Sequence, residues 1–220
     1  MIRLYRKIKI YFKSLYFNYQ YFNFKDAIKL PILINHNVVF KKLKGSIKIE
    51  SQLYKGVIKI GFPYVGIVNE KYSVSVLEIN GDIVFKGNAL IGSGSKISVG
   101  ENGLLIFGDN FVLTAESKII CFKNIIFGDD CLLSWDILIM DTDFHKISYN
   151  SGEFKECEGK ISIGNRNWIG CNTIILKGTV TGNNVVISSF SKLYKDYNAS
   201  NILISGNPGK IIKDIVEWKE

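Results

Sequence analysis

An all-β protein wound as a parallel β-helix, with three short strands in each coil, is the fold class this sequence predicts. Three observations carry that expectation. From residue 161 to 194 an apolar position returns every six residues, glycine recurs just after it, and the chain holds 20 glycines against three prolines alongside abundant Ile, Val, Phe and Tyr. β-Branched and aromatic residues favour pleated surfaces, while Gly, Asn and Asp turn corners. With 220 residues and 47% hydrophobic content, the chain is long and apolar enough to bury a full core.

The first element in order is a basic, aromatic leader over residues 1–44, expected to be helical. Its opening run, MIRLYRKIKIYFKSLYFNYQYF, spreads cations among its apolar residues, so it reads as neither a signal peptide nor a membrane span. Residues 1–50 hold 11 Lys and Arg against only Asp26 and Glu50, whereas the remainder holds 17 against 18, so the net charge of +8 is localised at this end. Two readings follow. The leader packs its aromatic face on the end of the main domain, or residues 1–30 lie on an anionic membrane surface or approach an anionic substrate. Nucleic acid is excluded as a partner, because the basic excess stops where the main domain starts.

The β-helix is expected over residues 45–205. Ile163, Ile169, Ile175, Thr181, Ile187 and Leu193 fall six apart, and five of these six are aliphatic. The positions that follow are Gly164, Gly170, Leu176, Gly182, Ser188 and Tyr194. Helical periodicity needs apolar residues at 3.6 spacing and a half-exposed sheet needs long period-two runs, and neither template fits. Short strands around a closed core do, with three sides making a coil of 18 residues that stacks on the next. Upstream, segments starting at Phe85, Phe107 and Phe127 repeat the pattern loosely, each returning an apolar residue twelve later as Ile97, Ile119 and Ile139. The 36 residues from Phe127 to Ile163 read as two coils, with the irregular stretch 141–160 as a loop replacing or leaving part of one. Residues 206–220 form a short C-terminal tail. Cys121, Cys131, Cys157 and Cys171 show no C-x-x-C spacing and read as free or buried thiols in a reducing, cytoplasmic setting.

The last 60 residues contain IGNRNWIGCNTIILKG, ISSFSKLYKD and GNPGK, with DTDFHKI ahead of them. In order and spacing these runs resemble the hexapeptide-repeat acyltransferases, in particular the branch that acetylates sugars in polysaccharide, capsule or lipopolysaccharide synthesis. The resemblance implies a left-handed β-helix, a homotrimer, and acetyl-CoA held between neighbouring subunits. Handedness comes from the resemblance alone, since general chirality rules for parallel crossovers favour the opposite hand.

Moving an acetyl group from a thioester to a hydroxyl needs a base of near-neutral pKa, and the chain has two histidines, His36 and His145. His145 matches the family's catalytic histidine, while His36 is expected to be structural or exposed. Asp143 is the first choice to orient the His145 ring and Asp141 the second, since an alternating strand would put all three side chains on one side. By the same resemblance the donor would meet Trp168, Cys171, Ser189, Tyr194, Lys195, Lys210 and Lys213, with the lysines facing its phosphates. The sequence departs from the family at Ser188, Ser189 and Phe190, where Gly-Ala-Gly is usual, and at Cys171, where a related group has Ser. Trp135 and Glu116 are candidates for sugar stacking and for binding sugar hydroxyls. No metal is expected, because two histidines cannot supply the three-histidine zinc site of a carbonic anhydrase of similar fold. Serine, an amino sugar or a xenobiotic are alternative acceptors, and a non-catalytic scaffold is the alternative from another class.

Overall fold

The computed structural model describes residues 2–215 and 217–219, with the side chains of Ile2 and Arg3 outside the description. The chain coils as a three-sided prism. Face A carries nine strands from Ile32–Ile34 to Lys210–Asp214, and faces B and C carry seven each, running from Val38–Leu43 to Lys192–Leu193 and from Ser46–Ile49 to Asp196–Tyr197. Within each face the strands pair in parallel, the last pair on face A excepted, because each is followed one coil later by its equivalent.

The six-residue period corresponds to one side of the prism. Ile97, Ile119, Ile139, Ile175 and Leu193 stand in register on face B and point inward, none more than 2% exposed. On face C the rings of Phe85, Phe107 and Phe127 stack at 5.0 and 5.8 Å between centroids. A side of six leaves room for a corner, and the corner residue adopts positive φ at Arg166, Asn172, Gly178, Asn184 and Phe190, again six apart.

The corner between faces C and A has its own ladder of hydrogen bonds. The amides of Asp109, Asp129, Asn165 and Asn183 donate to side-chain oxygens of Asp129, Asn165, Asn183 and Ser200 one coil below, at 2.8–2.9 Å. Glycine precedes each of the four donors because the coils touch there: a Cβ on Gly164 would come within 2.2 Å of the Gly182 carbonyl oxygen. Unpaired backbone donors at a corner are thereby satisfied from coil to coil.

Helix α1 (Ile2–Tyr21) closes the first coil. Buried Ser14 and Asn18, one helical turn apart, face the open edge of Ile32–Ile34. The Ile32 amide donates to Asn18 Oδ1 at 3.1 Å, Asn18 Nδ2 donates to the Ile32 carbonyl at 2.7 Å, and the Ile34 amide donates to Ser14 Oγ at 2.8 Å. The side chains thus imitate the missing neighbouring strand and blunt an edge that would otherwise pair with another chain. Coiling therefore begins at Ile32, inside the segment expected as leader, and helix occupies only its first part. The 36-residue gap is also resolved. Phe127 pairs directly with Ile163, so the gap is one coil plus a protruding loop and not two coils. Residues of the expected tail form Lys210–Asp214, which folds back antiparallel on Ile202–Ser205.

Candidate active site

The loop 141–160 leaves the prism after the face B strand Leu138–Met140, at the edge between faces B and C. Its two limbs run antiparallel: Thr142 bridges Glu158, and Ile147–Ser148 pairs with Phe154–Lys155. Asp141 is the root. Fully buried, its carboxylate accepts the amides of Phe122, Lys123 and Asn124 at 2.7, 2.8 and 2.8 Å, binding the loop to the coil above. Burial, with this carboxylate beside it, pushes the Cys121 thiol well up.

Asp143 faces the coil below. Lys177 Nζ lies 2.7 Å from its Oδ2 and Lys155 Nζ lies 3.4 Å away, and the Lys177 hydrogen bond leads the effects that hold this carboxyl below its ordinary range. Lys177 also donates to the Glu156 carbonyl, so a single ammonium ties both limbs of the loop to the coil beneath. Phe144, at positive φ, packs edge-on against Phe122 at 5.0 Å. His145 follows it, exposed, with no hydrogen bond to another described residue. The segment bends, with Phe144 at positive φ, instead of running as the regular alternating strand that was expected. Both aspartates are engaged with other partners, Asp141 with backbone amides and Asp143 with lysines.

Tyr194 and Lys195 lie on the same B–C edge two coils beyond the loop root, both exposed, with Lys195 Nζ over the Tyr197 ring at 5.3 Å. The remaining candidates fall elsewhere. Glu116, Trp135, Cys171 and Ser189 occupy successive coils along the edge between faces A and B. Ser73 Oγ donates to the Glu116 carboxylate, Trp135 is half-buried beside it in register with Ala115, and the Cys171 thiol donates to Ser189 Oγ at 3.4 Å. A Cβ at Gly170 would come within 2.5 Å of the Ser189 amide nitrogen, so glycine there is what brings these two corners together. Phe190 projects from this edge, 72% exposed. Lys210 and Lys213 are exposed on the returning strand, just after the turn whose Gly206 amide donates to Ser191 Oγ and whose Gly209 amide donates to the Lys192 carbonyl.

Trp168 lies on face A, its ring 6.2 Å from Trp218, whose Nε1 donates to the Arg166 carbonyl. Beside this pair a groove of about 800 Å³ runs along face A over Lys59, Leu90, Val112 and Leu132, away from His145. His36 sits at the first A–B corner against Asn35 Oδ1 at 2.7 Å, its pKa pushed down mainly by burial. One chain therefore presents His145, Tyr194 and Lys195 on one edge and Glu116, Trp135, Cys171 and Ser189 on another, with face B between them. Sequence reading missed Lys177. Its signal was available, because Leu176 pairs with Met140 and so sets Lys177 directly under the loop root.

No protein-family model matches the chain. An uncharacterised 24.8 kDa protein of the cps region of Klebsiella pneumoniae is 28% identical over 196 residues, covering 89% of this chain and 85% of its own. The putative lipopolysaccharide biosynthesis O-acetyl transferase WbbJ of Escherichia coli K12 is 28% identical over 150 residues, covering 61% of this chain and 72% of its own. The crystal structure of the acetyltransferase NeuO, specific for polySia, superposes with a TM-score of 0.61 at 23% identity over 85% of this chain and 80% of its own, a likeness of fold. The chain shares the fold of this acetyltransferase, and its sequence is similar to proteins named as sugar O-acetyltransferases. The β-helix is left-handed, as the resemblance implied. No group of three His, Cys, Asp or Glu able to hold a metal ion occurs among its described residues.

Proposed function

We propose that this protein moves an acetyl group from acetyl-CoA to a hydroxyl of a sugar in polysaccharide, capsule or lipopolysaccharide synthesis, with His145 as general base. The observation that carries the reading is the loop 141–160. It interrupts a regular coil, is fixed at its root by Asp141 and on both limbs by Lys177, and leaves one titratable imidazole exposed at the B–C edge. An imidazole open to solvent on a loop whose root and limbs are anchored suits proton transfer. His145 takes the proton of the acceptor hydroxyl as the new C–O bond forms and delivers it to the thiolate that leaves. Asp141 and Asp143 enter this mechanism as anchors of the loop. The relatives named for O-acetyl transfer to bacterial glycans support the acceptor class.

The separation of the candidates on two edges supports a site completed between subunits of a homotrimer. A second copy that sets its A–B edge against the B–C edge of the first brings Cys171 and Ser189 toward His145, and the half-exposed apolar residues Ile120, Leu138, Met140, Ile174 and Leu176 on face B give such a copy a surface to cover. Lys195, Lys210 and Lys213 then serve the donor's phosphates as mobile cations, and Trp168 and Tyr194 its walls. Trp135 and Glu116 serve the sugar. The setting proposed is cytoplasmic, with residues 1–30 near a membrane.

Mixed assembly tests this. His145→Ala chains assembled with chains carrying Gly170→Trp, which blocks the Ser189 corner, regain acetyl transfer to a glycan acceptor when the site spans two subunits. A site contained in one chain leaves the mixture as inactive as its parents.

A further inference from the structure

Helix α1 has two apolar faces and only one is used. Ser14, Phe17, Asn18 and Tyr21 point to the first coil, and Ser14, Phe17 and Asn18 are fully buried. At 100° per residue, Leu4, Tyr5, Ile8, Tyr11, Phe12, Tyr16 and Tyr19 fall within a separate arc of about 140°. All seven are exposed, between 42 and 65%. Leaving such a face in water is unfavourable, so its composition indicates what covers it.

Two features point to lipid. The margins of the arc are basic, with Lys9 on one side and Lys7 on the other, and the first acidic residue of the chain is Asp26. Exposed Lys41, Lys42 and Lys44 on the first coil continue the positive surface around the same end of the prism. A second copy of this chain would bring like charges together. Five of the seven exposed apolar residues in the arc are Tyr or Phe, whose rings favour the level of lipid headgroups. The helix is not long and apolar enough to cross a bilayer.

We infer that the outward face of α1 lies in the plane of an anionic bilayer, and that the helix holds the protein with the first coil of its prism toward the membrane. Cations at the margins meet the headgroups, and the aromatic arc enters the boundary below them. The inference deepens the membrane contact proposed above and does not depend on the acetyl-transfer chemistry. Because Ser14 and Asn18 bind the helix to the edge of Ile32–Ile34, insertion fixes the orientation of the whole prism.

Sedimentation of the full chain with vesicles tests it. Vesicles of phosphatidylcholine with phosphatidylglycerol carry the protein down, and phosphatidylcholine alone carries roughly fivefold less for each lysine left without an anionic headgroup. Ile8→Ser with Phe12→Ser lowers binding to the mixed vesicles by roughly tenfold or more, the scale set by two apolar side chains. The double variant keeps its unfolding temperature and its rate of CoA release with a water-soluble acceptor. Absence of binding to the mixed vesicles, or equal binding by the double variant, overturns the inference. So does a fall in lipid-free mass of the double variant by light scattering, which would show that another copy covers the face. Loss of acetyl transfer in the parent with vesicle binding intact would instead count against the enzymatic reading alone.

Discussion

Asp141→Asn separates a structural carboxylate from a catalytic one. In the native chain Oδ1 accepts the Phe122 amide at 2.7 Å while Oδ2 accepts those of Lys123 and Asn124 at 2.8 Å, in a site fully closed to solvent. The asparagine carbonyl can keep the pair at Lys123 and Asn124, which turns its NH₂ toward the Phe122 amide, donor against donor. One charge-assisted hydrogen bond, worth about 1.5–3 kcal/mol, is lost and the other two lose their charge, for a total of about 3 kcal/mol. For a chain of this size that lowers the melting temperature by roughly 6–12 °C. Asp141→Ala strands all three amides and costs more, about 5 kcal/mol. Thermal unfolding followed by circular dichroism reads both. The reasoning is refuted if Asp141→Asn melts with the parent while acetyl transfer disappears, since the carboxylate would then serve the chemistry and not the loop root.

Lys177→Met frees both limbs of the loop while leaving the coils intact, so hydrogen exchange over residues 141–160 rises and acetyl transfer falls roughly tenfold or more, the effect of a catalytic group displaced by about an ångström. Because Lys177 holds the Asp143 carboxyl below its ordinary pKa, this pair is fully formed above the ordinary carboxylate value of about 3.9 and is lost as pH falls below it, so loop protection in the parent persists at about pH 5 and disappears in stronger acid. Gly164→Ala places a Cβ against the Gly182 carbonyl and destabilises the prism by about 1–3 kcal/mol or more, measured by denaturant midpoint. Asn18→Ala removes both bonds to Ile32 and leaves a buried amide and carbonyl unpaired, costing about 2–4 kcal/mol and exposing residues near Ile32 to exchange.

Regular parts of the prism were legible because one side of it is six residues and each side returns an aliphatic side chain inward at the same position. Ile163, Ile169 and Ile175 declare that period directly, and the stacked Phe85, Phe107 and Phe127 do so at coil spacing. The extent of the first coil was less legible, since Ile32–Ile34 owes its edge partners to a helix 14 to 20 residues upstream. The insertion was misjudged in length because its 18 extra residues equal one coil, and only the pairing of Phe127 with Ile163 tells them apart. Candidate residues were found by resemblance and placed by topology on two edges. What resemblance to single motifs does not contain is the partner of each group. The lysine that claims Asp143 comes from the following coil, and the amides that claim Asp141 come from the preceding one.

The most direct test of the central claim is release of CoA thiol from acetyl-CoA by the purified chain across a panel of glycan acceptors, beside His145→Ala. Acceptor-dependent release by the parent, falling by about 10²–10⁴ in the variant while calorimetry shows CoA still bound, is the result predicted. An absence of both CoA binding and thiol release in the parent contradicts the acetyltransferase reading, and equal release by His145→Ala contradicts the role given to the imidazole.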